Sequence, residues 1–580
     1  MTNLFTKLRN ACRRRLSAPD ECHLYDGQSL LGMALLLCGC LAHGGEPPPD
    51  SARYTHAVRV FADSVLDHGR DTYGPRRTPL FVDGLQVETL EPVRWKKEGQ
   101  TWVLCNFASQ QSLLRTLDGL TALTKETRYR QAAEDATRYA LAHLRSTNGM
   151  LYWGGHIAWD LDQDRAVGEY PDVHEMKSHQ AYYPLLWRVN APATRQLCEA
   201  VWGGHVLDWS LLDYNRHART EKPAPALWDH PFIENTTVPF ASVANNLSFT
   251  LVTPSLIDAG VALALLGKDT NALTWTRRLV YRWQQARDPK TGLCGGQLSY
   301  RKDDRAKDAL GHVYPDINEA KIVATYHRTT RYHHLPLAQM QAAEQLIPAG
   351  GDCAVVGQEF IRWASEDLKS YGRYCWQPKT QQFISLLTDG RPIPWEKARA
   401  GYYDESSFAP ARPDGFIFWG YAMAYRLTRD EAHWDMARQL AQALELGDIG
   451  KPGATADQKL RLDAPVEDWR CIYAMLELNR ATRDRSFLKL AGRVADNILA
   501  KQTKTGLFPR PGRVYARTGD EGPLAVLHLA AALQGQESVL PAPMLDNAFF
   551  HCQYDGAPGS QKPGIDDKRT YDSTVFYGEK

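Results

Sequence analysis

Three short segments between residues 152 and 219 combine imidazole, carboxylate and guanidinium side chains. They read YWGGH, which ends in His156, DVHEMKSH, which contains Glu175, and LDYNRHAR, which contains Arg216 and His217. Two imidazoles and a carboxylate form a typical site for a borderline divalent ion such as Mn²⁺, Co²⁺, Ni²⁺ or Zn²⁺, unlike the all-oxygen cages of Ca²⁺. The segments therefore indicate a candidate metal site, with hydrogen-bonded structural histidines as the alternative.

Arg216 and His217 are neighbours just after the apolar and aromatic run VWGGHVLDWSLL. If the backbone turns there, a metal ligand and a cationic side chain can act on the same substrate unit. The alternative is that Arg216 forms an ion pair at the end of a helix, where a cation is favourable.

The rest of the chain predicts helical hairpins that position these segments. After QQSLLRTLDGLTALTKETRYRQAAEDATRYALAHL, similar units return from Ile257, Trp419 and Cys471. Their apolar residues keep helical spacing, and their turns align loosely as TKETRYRQAA, GKDTNALTWT, TRDEAHWDMA and TRDRSFLKLA. Because the period is irregular, a closed ring is favoured over an open solenoid.

The predicted fold class is therefore all-α, an (α/α) toroid of six to seven helical hairpins with a small β and loop arm beside the cleft. The arm is expected around residues 228–257, a stretch rich in Thr, Val, Phe and Asn that lacks helical periodicity. Residues 46–580 are predicted to form one catalytic domain.

The N-terminus predicts export. Residues 1–45 contain an apolar run from Leu30 to Ala42 that follows three consecutive arginines and precedes a Pro-rich stretch. Cys40 in LCGC resembles a lipoprotein cleavage site, so a lipid anchor there is a further prediction. The protein is expected to be periplasmic or at the cell surface, and no later stretch is expected to span a membrane.

The net charge of the chain indicates which kind of partner it binds. With 68 basic and 67 acidic residues the net charge is +1, so no nucleic-acid partner is expected. The 16 Trp and 26 Tyr residues offer stacking surfaces for sugar rings, although large aromatic side chains are also common in a core.

The segments HEMKSHQAYYPLLWRVN and LCEAVWGGHVLDWSLLDYNRHAR resemble the periplasmic pectate lyases of polysaccharide lyase family 2. That family has an HE-hydrophobic-K element, followed by a W-x-x-H-hydrophobic-x-D-W segment that runs into L-D-x-N-R-H. The resemblance is concentrated in residues 150–220. It implies an (α/α) barrel that cleaves polygalacturonate, an acidic polysaccharide, with a divalent transition metal, of which Mn²⁺ is the first candidate.

The resemblance also implies roles for individual residues. Glu175 and His217 match metal ligands, and Arg216 matches the Brønsted base. His156 fits the third ligand by its position ahead of the HE element, and His174 and His179 are alternatives.

Substrate contacts are expected from Lys177, which matches the family lysine, and from Trp153 and Tyr214. Trp153, together with Trp202, Trp209 and Tyr183, could instead belong to the core. The sequence departs from the family in WGGH, where Asn-Ala-His is more usual, and in Ala218, where Gly is commoner.

The implied reaction is β-elimination, in which the C5 proton is removed and the O4 group leaves. A cation on the C6 carboxylate stabilises the charge that develops, and a neighbouring base takes the proton. Arginine is an unusual base because its pKa is normally above about 12, but a nearby cation and burial both disfavour its protonated form. Tyr214 is the alternative base.

Two rival functions remain open. A glycoside or unsaturated-uronide hydrolase on the same toroid would use paired carboxylates, and Asp316 with Glu319 or Asp404 with Glu405 are the candidates. A non-catalytic exported polysaccharide-binding protein is the third possibility.

Overall fold

The computed structural model describes residues 49–97, 100–168, 172–176, 180–221, 227–243, 247–303, 305–325, 334–393, 408–509, 514–545 and 553–555. Several predicted features lie outside these residues, namely the export segment 1–45 with Cys40, and Lys177, His179, Asp404 and Glu405. Within the described ranges, none of the helices has both the length and the apolar character needed to cross a membrane.

Helices account for most of the regular structure in the described chain. They are α1 Pro49–His68, α2 Gln111–Thr124, α3 Thr127–His143, α4 Tyr183–Val189, α5 Ala191–His205, α6 Thr253–Leu265, α7 Thr270–Gln285, α8 Arg305–Leu310, α9 His334–Leu346, α10 Gly351–Cys375, α11 Gly415–Thr428, α12 Glu431–Ala443, α13 Trp469–Thr482, α14 Ser486–Leu499 and α15 Gly522–Leu533.

The helices form seven pairs that close into a ring. Six pairs are consecutive in sequence, namely α2–α3, α4–α5, α6–α7, α9–α10, α11–α12 and α13–α14, and the seventh joins α1 to α15. Neighbouring pairs contact each other through α3 and α4, α4 and α6, α6 and α9, α9 and α11, α11 and α13, and α13 and α15. Because α15 also packs on α2, the ring is closed, and the predicted (α/α) toroid is confirmed.

Burial separates the inner from the outer helices. Helix α6 is buried from Thr253 to Ala264 and helix α11 from Gly415 to Tyr425, as expected for helices that are apolar on every side. The outer helix α14 instead buries one face, which includes Phe487, Leu490, Ala491 and Val494. The inner ring is therefore the core of the domain.

The turns that align in the sequence share one backbone conformation. In each, a basic residue after the first helix adopts positive φ, with values of 69°, 56°, 60° and 63° at Lys125, Lys268, Arg429 and Arg483. In two of the turns the next residue is an aspartate that caps the following helix, Asp269 on α7 and Asp430 on α12. These repeated turns make tight hairpins at one end of the ring.

The short strands belong to the longer connections. They are β1 Gly84–Gln86, β2 Arg94–Lys97, β3 Gln100–Trp102, β4 Leu104–Cys105, β5 Ile157–Asp160, β6 Arg165–Gly168, β7 Val173–Glu175, β8 Val206–Asp208, β9 Asp213–Tyr214, β10 His217–Arg219, β11 Phe240–Ala241, β12 Ser299–Tyr300, β13 Ile322–Val323, β14 Trp376–Gln377, β15 Gln382–Phe383, β16 Leu386–Leu387, β17 Gly447–Asp448, β18 Lys459–Leu460, β19 Tyr515–Arg517 and β20 Gln553–Asp555. Because the tight turns occupy one end of the ring, these connections gather at the other end.

The predicted arm is irregular, as expected, but shorter than predicted. Its one strand in the described residues, β11, pairs in parallel with β12, and the irregular part ends at Val252. Residues 253–257 belong instead to α6, because their side chains face the core of the ring.

Candidate active site

Glu175 and His217 are brought together by a two-stranded antiparallel ladder. In the register of β7 and β10, Glu175 lies directly opposite His217, and Ala218 lies opposite His174. The ladder continues through a hydrogen bond in which the Met176 amide donates to the Arg216 carbonyl at 2.7 Å. Directly opposed residues on adjacent strands share a face, so the carboxylate and the imidazole project to the same side.

His156 reaches the same side through the two glycines that precede it. Gly154 has φ of +117°, and its backbone forms an isolated parallel bridge with Glu175. A Cβ atom on Gly155 would stand only 1.8 Å from Glu175 Oε2, so the carboxylate occupies the space that a side chain would need. The Asn106 amide holds this loop by donating to the Gly154 carbonyl and accepting from the Gly154 amide.

The three predicted ligands lie together at this point. His156 Nε2 is 3.2 Å from His217 Nε2 and 3.4 Å from Glu175 Oε2, and His217 Nε2 is 3.4 Å from Glu175 Oε1. Within the described part of the chain, this is the one group of three or more His, Cys, Asp or Glu side chains arranged to hold a metal ion. Glu175 is fully buried, whereas the His217 side chain is 33% exposed.

These residues fit a transition metal. Donor atoms bound to one ion at about 2.0–2.2 Å lie about 3.0–3.5 Å apart, which matches the separations of the three side chains. Two imidazole nitrogens and one carboxylate also match the donor preference of Mn²⁺, Co²⁺, Ni²⁺ and Zn²⁺. The site therefore has both the spacing and the chemistry expected from the sequence.

Arg216 lies against the ligands. Its Nε is 3.1 Å from Glu175 Oε1 and 3.3 Å from His217 Nε2, and its guanidinium carbon lies 5.7 Å from the centre of the Phe249 ring. Only 18% of its side chain is exposed. Phe249 comes from the predicted arm, so a distant segment helps to place the cationic group.

An open cleft lies beside these side chains. It has a volume of about 360 Å³, and its lining includes His156, His217, Val173, Asn215 and Arg219. Arg219 forms an ion pair with Asp172 at this cleft. A substrate can reach the partly exposed His217 from here.

His174, the alternative ligand, points away from the site into a buried hydrogen-bonded chain. The Trp153 indole nitrogen is 2.8 Å from His174 Nε2, His174 Nδ1 is 2.8 Å from His205 Nε2, and His205 Nδ1 is 2.7 Å from the Asn215 carbonyl. His205 received no role from the sequence, although it is the histidine of the W-x-x-H motif. Asn106 was also missed, because no local motif marks it.

The structure corrects the predictions for Trp153 and Tyr214. Trp153 is 1% exposed, and the Tyr214 hydroxyl is buried between Thr253 Oγ1 and the Phe249 carbonyl. Burial also raises the pKa of Tyr214. Neither side chain lines the cleft, so neither is placed to contact a sugar, and Tyr214 is not placed to act as a base.

The sequence left open whether Trp202, Trp209 and Tyr183 belong to the core. All three are buried, so they do.

The carboxylate pair Asp316 and Glu319 is held by ion pairs. Asp316 bonds Lys321 and Arg391, and hydrogen bonds from Arg391 and Lys321 lower its pKa to about 2. Glu319 is fully buried and accepts hydrogen bonds from Arg301. An aspartate that stays ionised in this way is a poor general acid.

Comparison with known proteins identifies the family of the chain. A family model described as periplasmic pectate lyase matches residues 78–553. The chain belongs to the periplasmic pectate lyase family. It is therefore a polysaccharide lyase, and the resemblance found in residues 150–220 extends over most of the sequence.

One relative of this pectate lyase aligns over nearly its whole length. The pectate disaccharide-lyase of Dickeya dadantii (strain 3937) is 26% identical over 557 residues, which cover 91% of this chain and 96% of the relative. The description of the family as periplasmic supports the prediction of export.

Solved structures similar to this pectate lyase are remote. A family 76 glycoside hydrolase from a bovine Bacteroides thetaiotaomicron strain has a TM-score of 0.39 and 12% identity, covering 83% of this chain and 78% of its own. Cellobiose 2-epimerase from Bacillus thermoamylovorans B4167 has a TM-score of 0.38 and 12% identity, covering 75% of this chain and all of its own, 100%. The closed ring of helix pairs defines the fold.

Proposed function

We propose that this chain cleaves α-1,4-linked polygalacturonate by metal-assisted β-elimination. The observation that carries the proposal is the convergence of His156, Glu175 and His217 on one point, with the Arg216 guanidinium in contact with Glu175 and His217. This combination suits elimination next to a uronic acid, because charge develops at the carboxylate while a proton leaves C5.

Each side chain has its own role in the elimination. His156, Glu175 and His217 hold the divalent cation, which supplies Lewis-acid stabilisation of the substrate carboxylate when it is bound. Mn²⁺ is the first candidate, with Co²⁺, Ni²⁺ and Zn²⁺ as alternatives. Arg216 takes the C5 proton, and Lys177 contacts a substrate carboxylate.

The position of Arg216 suits a base. Its side chain is mostly buried, so few water molecules compete for it, and its contact with Glu175 and His217 fixes its direction. A substrate sugar whose carboxylate approaches the ligands would present its C5 atom to the same corner of the cleft.

The charge around the cleft supports an acidic substrate. Arg219 lines the cleft, and Arg216 contacts His217, which also lines it, so an anionic polymer meets cationic groups close to the proposed ligands. The relative named pectate disaccharide-lyase suggests that the products include unsaturated disaccharides.

Hydrolysis is the weaker alternative. It needs one protonated and one ionised carboxyl group on either side of the bond, but Asp316 is held ionised by its cationic partners and Glu319 is fully buried in an ion pair with Arg301, so neither is placed to be the acid. No such obstacle opposes elimination at the proposed metal site.

Export is part of the proposal. An exported enzyme would meet a polymer that is too large to enter the cell, and Cys40 would carry a lipid anchor if the LCGC segment is processed.

The experiment is an assay on polygalacturonate with and without a chelator. Wild type is expected to release a product that absorbs in the ultraviolet, because elimination creates a double bond conjugated with the carboxylate, and the rate should fall on chelation and return with Mn²⁺. Arg216→Ala should lower kcat by about 10²–10⁴-fold, the usual contribution of a general base. New reducing ends without ultraviolet absorbance would support a hydrolase, and binding without turnover would support a non-catalytic protein.

A further inference from the structure

Beneath the proposed metal site, four residues form a continuous buried chain of hydrogen bonds. Its members are the Trp153 indole, the His174 and His205 imidazoles and the Asn215 carbonyl, joined at 2.8, 2.8 and 2.7 Å. Trp153 is 1% exposed, and His174 and His205 are fully buried. The mechanism proposed above uses none of these side chains.

The direction of each hydrogen bond follows from the two ends of the chain. The Asn215 carbonyl can only accept, so His205 Nδ1 carries a proton, and the Trp153 indole can only donate, so His174 Nε2 accepts. In the middle, His174 Nδ1 then donates to His205 Nε2. Donors and acceptors alternate correctly along the chain when both imidazoles are neutral.

The chain joins the three segments that carry the site. Trp153 precedes the glycines that lead to His156, His174 precedes Glu175 on β7, and Asn215 precedes Arg216. Helix α5 supplies His205 as its last residue, so the three loops are tied to a rigid element.

We infer that the His174–His205 pair is a positioning device that sets where Glu175 and Arg216 stand relative to each other. The inference rests on the proposed function, since it concerns the alignment of the metal ligands with the base. His205 has one bond toward each segment, with Nε2 facing the residue before Glu175 and Nδ1 facing the residue before Arg216. Such supporting contacts typically change metal affinity or activity by about 10–100-fold when they are removed.

Two substitutions of His205 separate its two bonds. In His205→Gln, the side-chain oxygen can replace Nε2 as acceptor for His174, but the bond to Asn215 is lost. In His205→Asn, the side-chain amide can replace Nδ1 as donor to Asn215, but the bond to His174 is lost. Trp153→Phe is a milder third variant, because it removes only the first donor of the chain.

The measurements are the Kd for Mn²⁺, from the spin-resonance signal of the free ion, and kcat on polygalacturonate. We expect His205→Asn to raise the Kd by about 10–100-fold, since Glu175 loses its support. We expect His205→Gln to lower kcat by a similar factor with a smaller change in Kd, since the Arg216 segment is released. Trp153→Phe should raise the Kd severalfold.

The matched control is His433→Asn on α12. His433 is also buried and hydrogen-bonded, to Ser365 Oγ at 2.7 Å, but it belongs to no part of the site. It should lower the thermal midpoint while leaving the Kd and kcat within about twofold, a change well under 1 kcal/mol.

The outcomes separate the two proposals. If wild type binds Mn²⁺ and the folded His205 variants bind it equally well with unchanged kcat, the positioning role is wrong. It is also wrong if the Kd and kcat of these variants change only in proportion to their thermal midpoints. If the His205 variants do not fold, an unchanged Kd in Trp153→Phe overturns the inference and a raised one supports it. If wild type binds none of Mn²⁺, Co²⁺, Ni²⁺ and Zn²⁺, the proposed function itself fails.

Discussion

Two buried carboxylates near arginines mark two different regions of this molecule. At the mouth of the ring, Glu175 meets the Arg216 guanidinium and two imidazoles beside an open cleft. Inside the ring, Asp258 on α6 lies at a small pocket of about 90 Å³ whose lining includes Arg115, Gln180 and Gln341. Buried charge is common to both regions, so burial alone does not identify the active site.

The residues around each carboxylate explain how the two regions differ. The Arg115 guanidinium donates to the Gln180 and Ala181 carbonyls, and so ties α2 to the start of α4. The chain after α15 lines the same pocket through Ala542 and Pro543, and the Leu545 amide donates to Gln180 Oε1 at 3.0 Å. The interior charges therefore hold the ring together, whereas the charges at the mouth face imidazole donors and a path for substrate.

Replacing Glu175 by glutamine is expected to have the largest effect. Glu175→Gln removes the one anionic ligand, so Mn²⁺ binding and activity should both fall below detection. The neutral amide nearly matches the carboxylate in shape but ends the ion pair with Arg216, so the thermal midpoint of the metal-free protein should fall, and both measurements are made at a temperature at which the variant is folded. Isothermal titration with Mn²⁺ and the ultraviolet product assay check this, and full activity in the variant would remove Glu175 from the site.

A methyl group at residue 155 should weaken the site without unfolding the protein. In Gly155→Ala the new Cβ displaces the Glu175 carboxylate, from which it would be only 1.8 Å distant. We expect the Kd for Mn²⁺ to rise by about 10–100-fold. Gly420→Ala on α11 is the control, because the nearest atom to its Cβ would be Leu368 Cδ2 at 3.9 Å. Equal Kd values for both variants and wild type would mean that the space over residue 155 does not determine the position of the ligand.

Replacing Asp258 by asparagine should leave activity within about twofold and change stability with pH. Burial raises the pKa of Asp258 to about 7, against an opposing effect of Arg115. The unfolded carboxyl ionises near 4, so wild type loses stability as the pH rises from about 4 through 7, and Asp258→Asn avoids that loss. The variant should be more stable than wild type by on the order of 2–4 kcal/mol at pH 8 and no more stable at pH 4.

Urea unfolding of wild type and Asp258→Asn at both pH values measures this difference. A loss of turnover in folded Asp258→Asn would contradict the division between the two regions, since it would give the interior carboxylate a part in the chemistry.

The sequence predicted the ring and the ligands for different reasons. The helix pairs were visible because apolar spacing and turn residues repeat, as at Lys125 and Arg429. Glu175 and His217 were proposed as ligands because they match family motifs, whereas His156 was proposed from its position ahead of the HE element.

Other parts of the site could not be predicted from local sequence. Trp153 and Tyr214 lie close to the motifs along the chain but point into the core, because nearness in sequence does not fix the direction of a side chain. Phe249, Asn106 and His205 reach the site from separate elements, so their roles depend on how the ring closes.

The most direct test is an anomalous difference map from a crystal soaked with Mn²⁺, recorded near the manganese absorption edge. The account predicts one dominant peak enclosed by His156 Nε2, His217 Nε2 and the Glu175 carboxylate, and its disappearance in Glu175→Gln. A dominant peak at other residues, or no peak at this triad in an enzyme that Mn²⁺ activates, would contradict it.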